Sequence, residues 1–104
     1  MIKAVFYKKN GVFVGFGITG HAGYADEGND IVCASVSSAV MLAANTVTDF
    51  FNADADVSAE NNLIELMLNE SCEAAERMLE SLYVHLGFIS QDYNGRIRIS
   101  VSEV

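Results

Sequence analysis

The chain has 104 residues, of which 51% are apolar and 19% charged, and it contains no proline. This composition predicts one globular domain, residues 1–104, with a single hydrophobic core, and it argues against disorder and proline-rich linkers. Fourteen acidic against six basic residues give a net charge of −8, which argues against binding nucleic acid or an anionic membrane. An acidic surface suits a basic partner, but it also simply keeps a small domain soluble.

The amino-terminal part predicts two antiparallel strands, 2–8 and 12–19, because both stretches are rich in β-branched and aromatic residues. Asn10-Gly11 between them is typical of a tight hairpin, since both residues tolerate a positive φ. The glycine-rich stretch 20–28 has no periodicity and predicts a loop.

A central helix is predicted next, from about residue 31 to 51, with Asp30 as its N-cap. It is apolar nearly all round, which is typical of a buried helix. Residues 52–62 then form an acidic connection that we interpret as a solvated loop. Its alternating oxygen ligands resemble those of a calcium loop, but it lacks the central glycine and the terminal glutamate that such loops need.

The carboxyl-terminal part predicts a third strand at 63–69, a second helix capped by Ser71 and ended by Gly87, and a last strand at 96–101. The element order is therefore β-β-α-β-α-β. It predicts an α+β fold in which two helices pack on one face of a four-stranded, mainly antiparallel sheet.

Cys33 and His21 are the first candidates for chemistry, because thiol catalysis needs a thiolate, a nearby base and donors for an oxyanion. If Asp30 is the N-cap, Cys33 lies in the first helical turn, where free N–H groups favour a thiolate and could hold an oxyanion. The loop after His21 is long enough to return it to Cys33. The spacing equally allows Cys33 to be a small core residue and His21 a solvated one.

Cys72 and His85 form a second pair, but they lie on one predicted helix and are separated by 13 positions. At about 1.5 Å per residue they are roughly 20 Å apart and cannot form a dyad. We interpret Cys72 as a packing residue and His85 as a residue suited to the helix C-terminus. No CxxC or HxxxH spacing indicates a metal site, and no cofactor is predicted.

Two cysteines without a signal-peptide pattern at the amino terminus predict a cytoplasmic protein with reduced thiols. The longest uncharged stretch, 31–48, contains too many hydroxyl and amide side chains for a typical membrane span.

Several motifs resemble the ribosomal-processing cysteine protease family Prp over nearly the whole chain. They are Gly20-His21-Ala22, Asp30-Ile31-Val32-Cys33-Ala34, Ser37, Leu86-Gly87-Phe88 and the segment 93–99. The resemblance implies a small cytosolic homodimer that removes the N-terminal extension of the twenty-seventh large-subunit ribosomal protein. By position, it also implies that His21 is the catalytic histidine and Cys33 the nucleophile, with Gly20, Asp30 and Ser37 at further motif positions.

Each matched residue has a chemical role in this interpretation. Cys33 attacks the scissile carbonyl as a thiolate, and His21 supplies the imidazolium that later protonates the leaving amine. Asp30 either orients His21 or only caps the helix. Ser37, one turn after Cys33, bonds either the thiolate or substrate, or its own backbone. Gly20 allows the loop to open for a peptide and close over it.

The sequence thus predicts a cysteine endopeptidase acting on a ribosomal protein precursor. The alternative is a non-catalytic ribosome-assembly or protein-interaction module whose acidic face holds a basic partner. A thiol redox or acyl-transfer enzyme is disfavoured, because no resolving cysteine adjoins Cys33.

Overall fold

The computed structural model describes residues 1–20 and 27–104. The described elements, in chain order, are β1 (Ile2–Lys9), β2 (Val12–Thr19), α1 (Glu27–Asn45), β3 (Ala55–Glu60), β4 (Leu63–Leu68), α2 (Glu73–Asp92) and β5 (Ile97–Glu103). A π-helical segment, Thr46–Phe50, continues α1. The predicted hairpin is confirmed, since Asn10 and Gly11 adopt φ values of 54° and 84°.

The five strands form one sheet in the order β3-β4-β2-β1-β5. Neighbouring strands are antiparallel except β1 and β5, which are parallel. The α+β class is therefore confirmed, whereas the predicted four-stranded sheet was wrong in detail, because the sheet is mixed and has a fifth strand.

The fifth strand is β3, which occupies the stretch interpreted above as a solvated acidic loop. Alanine, aspartate and glutamate are poor strand formers, so local propensity did not indicate it. The strand forms because a two-residue turn folds it directly onto β4. Asn61 and Asn62 make that turn with φ values of 55° and 63°, as a type I′ hairpin requires.

Both helices pack on the same face of the sheet, as predicted, and we call this face the helix side. α2 contacts β2 and β5, and its Tyr83 ring meets the Phe6 ring edge-on with centroids 5.3 Å apart. α1 lies beside α2, and the N–H of Ala53, just before β3, donates to the carbonyl oxygen of Val47 in its π-helical continuation at 3.0 Å. This connection places α1 on the β4 side of α2. The buried residues of α1 and its π-helical continuation are Val32, Val36, Val40, Ala43 and Val47.

The stretch Ile31–Phe50, with a mean hydropathy of 1.6, is long and apolar enough to cross a membrane by those criteria alone. Core helices of globular proteins share this property. Here the buried valines of the stretch belong to the same hydrophobic cluster as residues from the sheet and α2.

The helix boundaries differ from prediction at three points. α1 begins at Glu27, so Asp30 lies inside the helix and is not its N-cap. α2 has Cys72 rather than Ser71 at its N-cap and continues through Gly87. Burial of Ile89 just beyond Gly87 offsets the cost of about 1 kcal/mol for a glycine inside a helix.

Candidate active site

Cys33 is the seventh residue of α1 and a free, half-buried thiol packed against the core. The prediction that it lies in the first helical turn was wrong, because the helix starts earlier than expected. The unpaired N–H groups at the helix start belong to residues up to Asp30, whereas the N–H of Cys33 lies within the regular helix. The start of α1 therefore does not supply the oxyanion donors that were predicted for this thiol.

Ser37 lies one turn beyond Cys33 on the same flank of α1 and is also half-buried. Side chains at such spacing have Cβ atoms about 5–6 Å apart. The opposite flank of α1 faces α2 across a groove of about 440 Å³. The residues that line this groove are Ser35, Ser38, Ala39, Leu42, Met78, Ser81, Leu82 and His85. Because residues turn by roughly 100° along a helix, Cys33 and Ser37 point away from α2, toward the β4–β3 side of the sheet.

The described chain leaves β2 at Gly20, which adopts φ +82°. A Cβ at this position would overlap the carbonyl oxygen of Met1, so both the backbone conformation and the space require glycine. The preceding residue, Thr19, pairs with Lys3 and Leu63 and so marks one end of the sheet.

α1 starts near that same end of the sheet. Together with its π-helical continuation it is roughly 36 Å long, enough to run the length of the sheet. It finishes just before β3, whose first residue Ala55 pairs with Leu68 at the far end. Cys33, near the start of α1, therefore lies at the end of the sheet that carries Gly20.

His21 and the rest of the segment 21–26 lie outside the described residues, as does the side chain of Asp30. The roles assigned to His21 and to the Asp30 carboxylate therefore stay predictions. The structure brings Cys33 and Ser37 to one helix flank, and it places Gly20 at the same end of the sheet.

The second cysteine and histidine are placed apart, as predicted. Cys72 is the half-buried N-cap of α2, whereas His85 is exposed on that helix and lines the groove on the other flank of α1 from Cys33. His85 is seven residues before the end of α2, so the prediction of a helix C-terminal position was wrong. Among the side chains of residues 1–20 and 31–104, no group of three histidine, cysteine or acidic residues could hold a metal ion.

The family model described as cysteine protease Prp matches residues 1–98, almost the entire chain. This chain belongs to the Prp family. A Bacillus subtilis protein named ribosomal processing cysteine protease Prp is 30% identical over 94 residues, covering 84% of each chain.

Two crystal structures of Staphylococcus aureus Prp have the same fold. One, in complex with a substrate peptide, is 22% identical with a TM-score of 0.90. The other, with a covalently linked product peptide, is 23% identical with a TM-score of 0.87. Each comparison covers 98% of this chain and 100% of the other.

Membership of the Prp family makes this chain a cysteine protease, an enzyme that hydrolyses peptide bonds. Of the two functions that the sequence left open, the enzyme is therefore favoured over the non-catalytic binding module. β3 was not predicted, and it pairs with β4 at the edge of the sheet. The signal that could have revealed it is Asn61-Asn62, because asparagine pairs tolerate the two positive φ values of a hairpin turn.

Proposed function

We propose that this chain is an endopeptidase that removes the N-terminal extension of the twenty-seventh large-subunit ribosomal protein, with Cys33 as nucleophile and His21 as its base. The observation that carries the assignment is the position of Cys33 at the end of the sheet where the chain passes through Gly20 to His21. Cys72 belongs to the start of α2, at the opposite end of the sheet. The name of the Bacillus subtilis relative supports a ribosomal protein as the substrate.

The reaction proceeds through an acyl-enzyme. His21 takes the proton of the Cys33 thiol, and the thiolate sulfur attacks the scissile carbonyl carbon to form a tetrahedral oxyanion. This intermediate collapses as the imidazolium gives its proton to the leaving amine, which breaks the peptide bond. Water, deprotonated by His21, then attacks the thioester and releases the acid and the free thiol.

In this proposal Ser37 assists Cys33. A hydroxyl one helical turn away can donate to the thiolate or to the oxyanion. The rigid α1 backbone holds the two residues in a fixed relation. In this proposal Asp30, in the first turn of α1, orients His21.

The proposed enzyme is a cytoplasmic homodimer. The two free cysteines suit a reducing compartment. The solvent side of α1 supports self-association, since no charged residue occurs from Ile31 to Thr48 in a chain of net charge −8. On that side Ile31, Met41 and Leu42 are 53%, 59% and 65% exposed, and exposed apolar surface of this kind marks interfaces.

The direct test mixes the protein with the full-length ribosomal protein precursor and locates the cut by mass spectrometry. We expect one cut that frees the N-terminal extension, lost in Cys33→Ala and retained in Cys72→Ala. An intact precursor after prolonged incubation with the wild-type protein would refute the proposed function. Equal cleavage by both variants would refute the assignment of the nucleophile.

A further inference from the structure

β3 lies at one edge of the sheet, and no strand in the described part of the chain pairs with its outer side. In antiparallel pairs, residues that bond the partner strand alternate with residues whose N–H and C=O point away. The two-residue turn makes Glu60 and Leu63 a hydrogen-bonded pair. At the other end, the N–H of Asn69 donates to the carbonyl oxygen of Asp54 at 2.8 Å. Both observations show that the even-numbered residues of β3 bond β4.

The odd-numbered residues Ala55, Val57 and Ala59 therefore present their N–H and C=O groups to the outside of the sheet. Their side chains point to the helix side, because Val57 pairs with the buried Leu66. Val57 is nevertheless 46% exposed, since neither helix covers it. The small side chains of Ala55 and Ala59 flank Val57 along this edge, and we call these three residues the apolar strip.

The apolar strip lies at the β3 edge of the sheet, on the side of α1 toward which Cys33 and Ser37 point. α2 lies on the other side of α1, so the flank that carries Cys33 faces the side of the sheet with β4 and β3. The sheet face away from the helices is acidic along β3, because Asp56 and Glu60 alternate with the residues of the apolar strip. An extended chain along β3 would thus meet apolar surface on one face and carboxylates on the other.

We propose that the peptide substrate binds as a sixth strand along β3. Its backbone pairs with the outward groups of Val57 and Ala59. Side chains of the peptide alternately contact the apolar strip and face Asp56 and Glu60. The site therefore favours peptides in which apolar residues alternate with basic or polar ones. This inference rests on the proposed peptidase function, and it explains how a shallow site can hold an extended segment beside Cys33.

The test replaces Val57 by proline, which removes one outward N–H donor but no bond between β3 and β4, as edge strands allow. Val101 in β5 is the matched control, since it is 43% exposed at the opposite edge. The N–H of Val104 donates to the carbonyl oxygen of Lys8 at 2.9 Å. Three positions earlier, the N–H of Val101 therefore points off the sheet.

The probe is a fluorogenic synthetic peptide that spans the cleavage junction of the ribosomal protein precursor. We expect Val57→Pro to lower kcat/KM roughly tenfold, mainly through KM, because a backbone hydrogen bond is lost and the ring blocks close approach. For the same peptide, the kcat/KM of Val101→Pro should stay within about twofold of the wild-type value. Circular dichroism and Tm verify that both variants are folded.

A second measurement on the wild-type enzyme needs no folded variant. Substrate peptides methylated at one backbone nitrogen each should lose cleavage at alternate positions, because only alternate residues of an added strand face β3. Two results would overturn the strand-addition proposal and leave the proposed peptidase function intact. One is an equal change of kcat/KM in the two proline variants, and the other is a loss of cleavage that does not alternate along the methylated peptides. If the wild-type enzyme cleaves no such peptide, the proposed function itself fails. A change of oligomeric state in Val57→Pro at unchanged KM would assign the edge to a second copy and overturn the proposal.

Discussion

Cys33 and Ser37 lie one helical turn apart on the flank of α1 that points away from α2. The start of the helix is too far from Cys33 to provide oxyanion donors. The Ser37 hydroxyl is therefore the donor in α1 that the mechanism can use instead. The serine is a candidate positioning residue for the thiolate and a candidate donor to the oxyanion that forms on the substrate carbonyl when the thiolate attacks it.

We expect Ser37→Ala to lower kcat about tenfold with little change in KM, because a hydrogen bond to a charged group is lost in the transition state. Ser35→Ala is the matched control in the same helix, since the Ser35 hydroxyl donates to the carbonyl oxygen of Ile31 at 3.0 Å on the other flank. Ser37→Thr should recover activity. Steady-state kinetics that show equal kcat for the two alanine variants would remove Ser37 from the site.

Gly20 and Gly95 provide a second matched pair, with φ values of 82° and 84°. A Cβ at Gly95 would meet no atom within 4 Å, whereas at Gly20 it would overlap the Met1 carbonyl oxygen. Gly95→Ala should therefore cost about 1 kcal/mol of unfolding free energy from backbone strain. Gly20→Ala should cost more, because the overlap adds to the same strain. Urea denaturation measures both values, and equal losses would show that the space at Gly20 is not restrictive.

The proposed homodimer predicts a specific effect of charge on the solvent side of α1. Leu42→Lys should convert the protein to a monomer, because it places a charge in a surface that has none. Val104→Lys is the control, since Val104 is 61% exposed at the carboxyl terminus against 65% for Leu42. Light scattering after size exclusion gives the mass. A wild-type monomer, or a dimer that survives Leu42→Lys, would contradict this interface.

Electrostatic steering predicts a dependence on salt. An enzyme of net charge −8 should attract a basic ribosomal protein, and screening should reduce that attraction. We expect kcat/KM for the full-length precursor to fall on the order of tenfold between low and high salt. A short uncharged peptide with the same cleavage site should show little change. Equal salt dependence of the two substrates would exclude steering.

Most of the fold could be predicted because its elements have strong local signals. The alternation Ile64–Leu66–Leu68 indicated β4, and the Asn10-Gly11 pair indicated the first hairpin. β3 gave a weaker signal, because Val57 is the one strong strand former among its six residues and its pairing depends on the Asn61-Asn62 turn. The parallel pairing of β5 with β1 depends on tertiary packing, which local periodicity does not report.

The relative placement of Cys33 and Ser37 was predictable from the sequence, but the start of α1 was not. The spacing of Cys33 and Ser37 places them on one face of any helix, so their common flank followed from the sequence. The helix start did not, because Asp30 is a typical N-cap residue and yet the chain is already helical from Glu27. One extra turn of helix moves Cys33 from the first turn into the interior of α1. This changes the source of oxyanion stabilisation that the mechanism requires.

Covalent labelling tests most directly whether Cys33 is the nucleophile and His21 its base. The probe is a substrate-derived peptide that ends in a vinyl sulfone, an electrophile that reacts with catalytic thiolates. Mass spectrometry of the labelled protein then locates the adduct. We predict one adduct per chain, on Cys33, with labelling lost in His21→Ala and retained in Cys72→Ala. An adduct on Cys72 would contradict the assignment of Cys33 as nucleophile. Labelling of Cys33 that is unchanged in His21→Ala would contradict the assignment of His21 as its base.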